Sequence, residues 1–220
     1  MIDVYFIDVN VADDVIEQLA ELLADDERAR ANRYRFAADR RRSIVARAGT
    51  RRLAGRALGV DPRALVIVAE EHGKPALRNR EIEFNASHSG DLVALAFATG
   101  TPVGIDVERC RHINDAPALA RRFFAAEELE IVANAADADD AFLTIWTAKE
   151  AILKASGKGI GAGDLRGFAV PFGNGEMQPV IDGWSVAAIE TPLIGYYGAI
   201  AARTGEQRID ARKITAAALI

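Results

Sequence analysis

The sequence predicts an α+β fold on three observations. Apolar residues at helical spacing are confined to two blocks, each block is followed by short β-branched or alternating runs, and Gly and Pro collect between those runs. A continuous βαβ alternation does not fit that order. Helical spacing runs from Val11 through Leu23 and again from Asp39 to Leu58, where Ile44, Val45, Ala48, Leu53 and Leu58 recur near one face and Gly59 ends the helix. Ala64 to Ala69 is a short β-branched run and Ile82 to Asn85 alternates, so both read as strands. Ser87-His88-Ser89-Gly90 reads as a polar turn, loop or helix start. Leu92 to Ala98 and Val103 to Glu108 read as two strands of a hairpin joined by Thr99-Gly100-Thr101-Pro102. Helices are expected over Pro117 to Phe124, Ala126 to Ala133 and Asp139 to Ala155, and strands near Gly167 to Val170, Trp184 to Ile189 and Tyr197 to Ala202. Val93 to Gly100 and Gly198 to Gly205 match at four of eight positions, a hint of internal duplication.

Composition narrows the class. Half of the 220 residues are apolar and 27 % are charged, with a net charge of −5, as in ordinary globular proteins. That length supports one large domain or two small ones without disulfides or structural metals. The single cysteine, Cys110, excludes an internal bridge and a Cys-based zinc site and fits a reducing compartment. The longest apolar run, Leu92 to Ala98, is far short of the roughly 20 residues of a membrane span. Met1 to Asp8 carries acids where a secretory leader has a basic region. A cytoplasmic protein is therefore expected.

Charge is unevenly spread. Arg28 to Arg56 contains eleven arginines against one acid, Asp39, so this segment carries +10 and the remainder −15. Such a distribution suits a site for a compact polyanion better than a general nucleic-acid coat, which is basic overall; the alternative is a solvated helix face. Lysine is scarce, and four of the five lysines lie in two short segments: Lys74 in one, Lys149, Lys154 and Lys158 in the other.

In the alternating run Val103 to Glu108, Asp106 and Glu108 share one strand face with Cα atoms roughly 6.5–7 Å apart. Exposed, they are a polar face; lining a cleft, their repulsion calls for a cation such as Mg²⁺. At about 100° per residue, Phe142, Leu143, Ile145, Trp146, Ile152 and Leu153 fill one arc of a helix, and Lys149 falls inside it. A lysine on a core face needs a partner or a polar cavity. Glu150 and Lys154 lie on the edge of that stripe, either as an ordinary i,i+4 pair or as an acid and a base at the rim of a cleft. His88 can bind phosphate, relay a proton or serve the core. No G-x-S-x-G elbow, P-loop or G-x-G-x-x-G is present.

Taken in order, Gly73-Lys74-Pro75, Phe84 to Gly90, Gly104-Ile105-Asp106-Val107-Glu108, Phe124 to Glu128 and Trp146 to Lys154 resemble the motif set of the 4′-phosphopantetheinyl transferases of the Sfp-like group, over about residues 28 to 160. The resemblance implies transfer of the phosphopantetheine arm of coenzyme A to a serine of an acyl or peptidyl carrier protein, with release of adenosine 3′,5′-bisphosphate. It implies Asp106, Glu108 and Glu150 as ligands of Mg²⁺, or Mn²⁺ in its place. Glu150 is then the general base, acting through water, and Lys154 steadies charge on the phosphates. Lys74, Ser87 and His88 match positions that grip the nucleotide end, with His88 also counted in the catalytic group. Arg42, with Arg35 as its rival, is the further phosphate contact. Glu128 takes a structural or supporting part. The implied fold is a monomeric pseudo-dimer of two similar halves, residues 1–102 and 103–220, each a small mainly antiparallel sheet packed with helices, with the active site in the cleft between them. No nucleic acid or membrane partner is expected. The alternatives are a non-catalytic coenzyme A or carrier-protein binding module on the same fold, and a nucleic-acid binder using the arginine segment.

Overall fold

Each helix-then-strand block of the chain closes a four-stranded sheet. The computed structural model describes residues 1–157, 165–171, 176–203, 205 and 208–220. The first block runs β1 (Ile2–Asp8), α1 (Asp13–Ala20), α2 (Asp25–Asn32), α3 (Ala37–Leu58), a two-stranded flap β2 (Ile67–Ala69) and β3 (Pro75–Leu77), then β4 (Glu83–Ser89) and β5 (Leu92–Ala98). The second runs β6 (Val103–Arg109), α4 (Ala116–Phe123), α5 (Ala126–Asn134), α6 (Ala138–Ser156), β7 (Gln178–Ile181), β8 (Trp184–Ala188) and β9 (Tyr196–Arg203), and is followed by β10 (Ile209–Ile214).

The two sheets have strand orders β10-β1-β5-β4 and β6-β9-β8-β7. In each, the first strand pairs antiparallel with the second arm of the hairpin that follows the long helix: β1 with β5, and β6 with β9. The matching segments noted above fall on β5 and β9, the same place in the two sheets, with Thr204 outside the described residues. β10 pairs parallel with β1. The last residues thus pack on the first block: Ala216 and Leu219 join its core, and Arg52 and Arg56 of α3 bond the carbonyls of Leu219, Ile220 and Ala218.

Strand alternation sorts the apolar residues into three cores. Ile7, Val93, Leu95 and Phe97 face α1 and α3, while Phe142, Leu143, Ile145 and Ile152 of α6 pack under Val186, Ala199 and Ala201 of the second sheet. Ile2, Val4, Phe6, Ala94 and Ala96 on the other face of the first sheet meet Val103, Ile105, Val107, Ile200 and Ala202 of the second. Gly104 lets α6 press on β6: a Cβ there would strike the Ala151 carbonyl and the Ala155 amide.

Three local expectations are corrected. β5 and β6 do not form a hairpin; they belong to different sheets, and Thr99 to Pro102 carries the chain from one to the other. β5 pairs instead with β1 and β4, which take up both its edges. Ser87 to Ser89 is strand, and the turn is Gly90-Asp91, with Gly90 at φ 53°, a left-handed conformation that suits glycine. Residues 168–170 are not a strand, because their backbone serves the buried pair described below. Helix α2, with only Ala31 buried, carries no apolar periodicity to announce it. Glu27 holds it by accepting from the Ala24 amide at 3.0 Å and from Arg51 Nε at 2.6 Å, and Arg51 in turn bonds the Pro62 and Leu65 carbonyls. No helix among the described residues is long and apolar enough to cross a membrane.

Candidate active site

α6 presents Trp146, Glu150 and Lys154 at four-residue intervals, one side of a helix. Gly104 seats that side against β6, so the three residues line a cleft of 280 Å³ with Asp106 and Glu108 of β6 and Ala86, Ser87 and His88 of β4. The cleft therefore draws on both sheets.

Its polar contacts are specific. Lys154 Nζ lies 2.6 Å from Asp106 Oδ1 and 3.0 Å from Ser87 Oγ, and Ser87 donates its hydroxyl to Asp106 Oδ1 at 2.8 Å. Glu108 Oε2 accepts from Ser89 Oγ at 2.9 Å and from Arg111 at 2.8 Å. Asp106 and Glu150 are each only 4 % exposed, and among the described residues Asp106 Oδ2 and Glu150 Oε1 are buried without a hydrogen-bond partner. An unpaired buried carboxylate oxygen is costly and marks a place for a ligand or a proton. Burial raises the Glu150 pKa to about 7, against the pull of Lys154 and with the push of Asp106 and Glu108. Burial likewise raises Asp106, which Lys154 and Ser87 draw back.

These oxygens suit a hard dication whose remaining ligands come from a phosphate substrate. Among the described residues no three acidic, His or Cys side chains are grouped so as to hold a metal ion by themselves, so a cation here needs oxygens from a bound substrate as well. The Lys154 ammonium supplies the positive charge on Asp106.

The other expected residues are distributed around this centre. His88 and Ala86 also line a second cavity, of 370 Å³, walled by Asp26, Glu27, Arg30 and Tyr34, by Ser43, Ala46, Arg47 and Thr50 of α3, and by the β2–β3 flap. The two spaces thus share a wall. Packing around the His88 ring, with the cations of Arg42 and Lys154, holds its imidazole below the usual histidine range. Arg42 bonds the Gly90 carbonyl at 2.9 Å and pairs with Asp39. Arg35, exposed in the turn before α3, lies over the Phe36 ring and lines neither space. Lys74 Nζ bonds the Val103 and Ala155 carbonyls at 3.2 and 3.0 Å, tying the flap to β6 and the end of α6, and burial lowers its pKa. Lys158 lies outside the described residues.

Lys149 does sit in the core, and its partner is Glu128. Both are 0 % exposed and lie 2.8 Å apart. Lys149 also bonds the carbonyls of Leu165 and Phe168, while Glu128 accepts from the amides of Ala125 at 2.8 Å and Val170 at 2.9 Å. The pair pins α5, α6 and residues 165–170 together, away from the cleft.

Comparison with known proteins places the chain. The model of the 4′-phosphopantetheinyl transferase superfamily matches residues 102–182, and the N-terminal model of 4′-phosphopantetheinyl transferases matches residues 11–100. The chain belongs to the 4′-phosphopantetheinyl transferase superfamily. It is 40 % identical over 151 residues to the 4′-phosphopantetheinyl transferase HetI of Nostoc sp., covering 66 % of this chain and 64 % of that one. It is 36 % identical over 151 residues to the transferase psf-1 of Bacillus pumilus, covering 67 % and 64 %. With the transferase Sfp of Bacillus subtilis it shares 29 % over 147 residues, covering 66 % and 64 %. The chain thus spans somewhat less than two thirds of these relatives' length.

Sequence reasoning passed over Asn85, Ser89 and Tyr196. Asn85 and Ser89 flank Ser87 at two-residue spacing, a signal visible once Ser87 is placed in a strand. The Tyr196 hydroxyl accepts the Asp91 amide at 2.8 Å and so braces the β4–β5 turn from the second sheet, a contact with no local sequence signal.

Proposed function

We propose that this chain transfers the 4′-phosphopantetheine arm of coenzyme A to a serine hydroxyl of an acyl or peptidyl carrier protein, releasing adenosine 3′,5′-bisphosphate. The observation that carries the reading is a pair of buried carboxylates, Asp106 from β6 and Glu150 from α6, each with an unpartnered oxygen, on one cleft beside Lys154. Family membership supplies the reaction class.

In this reading Asp106, Glu108 and Glu150 hold Mg²⁺, or Mn²⁺ in its place, and the hard-oxygen donor set fits such an ion. When bound, the cation neutralises charge on the pyrophosphate oxygens. Glu150, at the same cleft, accepts the serine proton through water. The serine oxygen bonds to the phosphorus that carries the pantetheine arm. The bond from that phosphorus to the bridging oxygen breaks, and its electron pair leaves on the nucleotide bisphosphate. Lys154, at the same cleft, stabilises the charge that moves onto the phosphates. The nucleotide end extends past His88, which lines both spaces, and Ser87 of the cleft together with Arg42, Lys74 and Arg35, which line neither space, are the further phosphate contacts proposed for it.

The same reading divides the chain into residues 1–102 and 103–220 as the halves of a pseudo-dimer with the active site in their cleft. The shared strand order supports it, with β10 crossing back to the first sheet. A cytoplasmic, monomeric protein that does not use nucleic acid belongs to this proposal. Seven of the eleven clustered arginines, 40, 41, 42, 47, 51, 52 and 56, bond other groups of the protein itself, which leaves less of that charge for a nucleic acid.

Glu150→Gln tests the assignment. Turnover is expected to fall by about 100-fold or more while calorimetry finds coenzyme A binding within a few-fold of the parent. A rate within a few-fold of the parent removes Glu150 as the base.

A further inference from the structure

β6 is an edge strand, and the amides of Ile105, Val107 and Arg109 point away from β9 with no strand to receive them. Three side chains from one face of β4 take the place of that strand. Asn85 Oδ1 accepts from Ile105 N at 3.0 Å, Ser87 Oγ from Val107 N at 3.2 Å and Ser89 Oγ from Arg109 N at 3.1 Å. The teeth of this comb are two residues apart on both strands, the period at which side chains return to the same face.

Two teeth reach further. The Ser87 hydroxyl donates to Asp106 Oδ1 and the Ser89 hydroxyl to Glu108 Oε2. A serine hydroxyl has one proton and two lone pairs, and Ser87 uses all three, on Asp106, Val107 N–H and Lys154. With its lone pairs fixed by the β6 amide and Lys154, the Ser87 proton is directed at one oxygen of Asp106, and Oδ2 is left unpartnered. Ser89 does the same for Glu108 with the Arg109 amide as its anchor.

We propose that Asn85, Ser87 and Ser89 are positioning residues: they register β6 on β4, and the two serines fix which oxygen of Asp106 and of Glu108 is turned to the cation. The inference rests on the reading of these carboxylates as metal ligands.

The test is Mn²⁺ affinity, measured by electron paramagnetic resonance with saturating coenzyme A and no carrier protein. Ser89→Ala is expected to weaken Mn²⁺ binding by about 10-fold or more, the scale of lost outer hydrogen bonds to metal ligands. Ser89→Thr, which keeps the hydroxyl, should stay within about 3-fold. Coenzyme A affinity in chelator should be unchanged in both, and turnover of Ser89→Ala should recover as Mn²⁺ is raised. Ser89→Ala binding Mn²⁺ like a parent that binds it overturns the inference alone, even if its melting temperature falls, since that is a purely structural role. A loss in Ser89→Thr equal to that in Ser89→Ala also overturns it. A parent that binds no Mn²⁺ overturns the metal reading and the inference with it.

Discussion

Replacing Lys149 by Met keeps most of the apolar stem of the side chain and deletes the ammonium, with its charge and its donors. Glu128 would then stand in the core with two amide donors, from Ala125 and Val170, and no cation, and the Leu165 and Phe168 carbonyls would lose their donor. Removing one partner of a buried pair costs about 3–5 kcal/mol. The two remaining amides soften the charge on Glu128, so the lower end, about 3 kcal/mol, is expected. A protein of this kind is stable by about 5–15 kcal/mol, so the variant should still fold. Urea unfolding followed by circular dichroism reads the loss directly. In a double-mutant cycle with Glu128→Gln, the pair should lose less than the sum of the singles by about 2 kcal/mol. A loss below about 1 kcal/mol for Lys149→Met, or additivity within about 0.5 kcal/mol, refutes the assignment of a mutually dependent buried pair.

Two further outcomes follow from the site. The Glu150 carboxyl titrates near 7 in the folded protein against an ordinary value of 4.5, so the unfolded chain loses this proton first and the folded state is penalised as pH rises from about 4.5 to 7. Glu150→Gln should therefore stabilise the metal-free protein at pH 8, by about 2 kcal/mol after allowance for solvent screening in the open cleft, with little difference at pH 4.5; equal melting curves at pH 8 contradict this. Gly104→Ala should cost about 1–3 kcal/mol or more, because its Cβ meets helix backbone, and should reduce turnover with it because α6 carries Glu150 and Lys154. Thermal unfolding at parent stability refutes the close seating of α6 on β6.

The long helices were legible because their apolar faces are periodic: α3 was expected from Asp39 and begins at Ala37, and α6 was expected over 139–155 and spans 138–156. The core position of Lys149 was legible for the same reason, but its partner was not, because Glu128 comes from another helix and the remaining contacts come from irregular backbone. The β4 serines were read as a turn because polarity in a strand usually means solvent; here Ser87 is buried and faces another strand's amides. Pairing of β5 with β1 across most of the first block, and of β10 with β1 across the whole chain, depends on closure of the sheet and leaves no local trace. The site carboxylates were identifiable from spacing and resemblance, whereas their hydrogen-bond asymmetry arises only when two sheets meet.

The most direct measurement is the intact mass of apo acyl and peptidyl carrier proteins after incubation with this protein, coenzyme A and Mg²⁺, with and without chelator. The account predicts a gain equal to one phosphopantetheine on the carrier serine, abolished by chelator and by Glu150→Gln. No gain on any carrier, with a preparation that calorimetry finds bound to coenzyme A, contradicts it and leaves a coenzyme A binding module in its place.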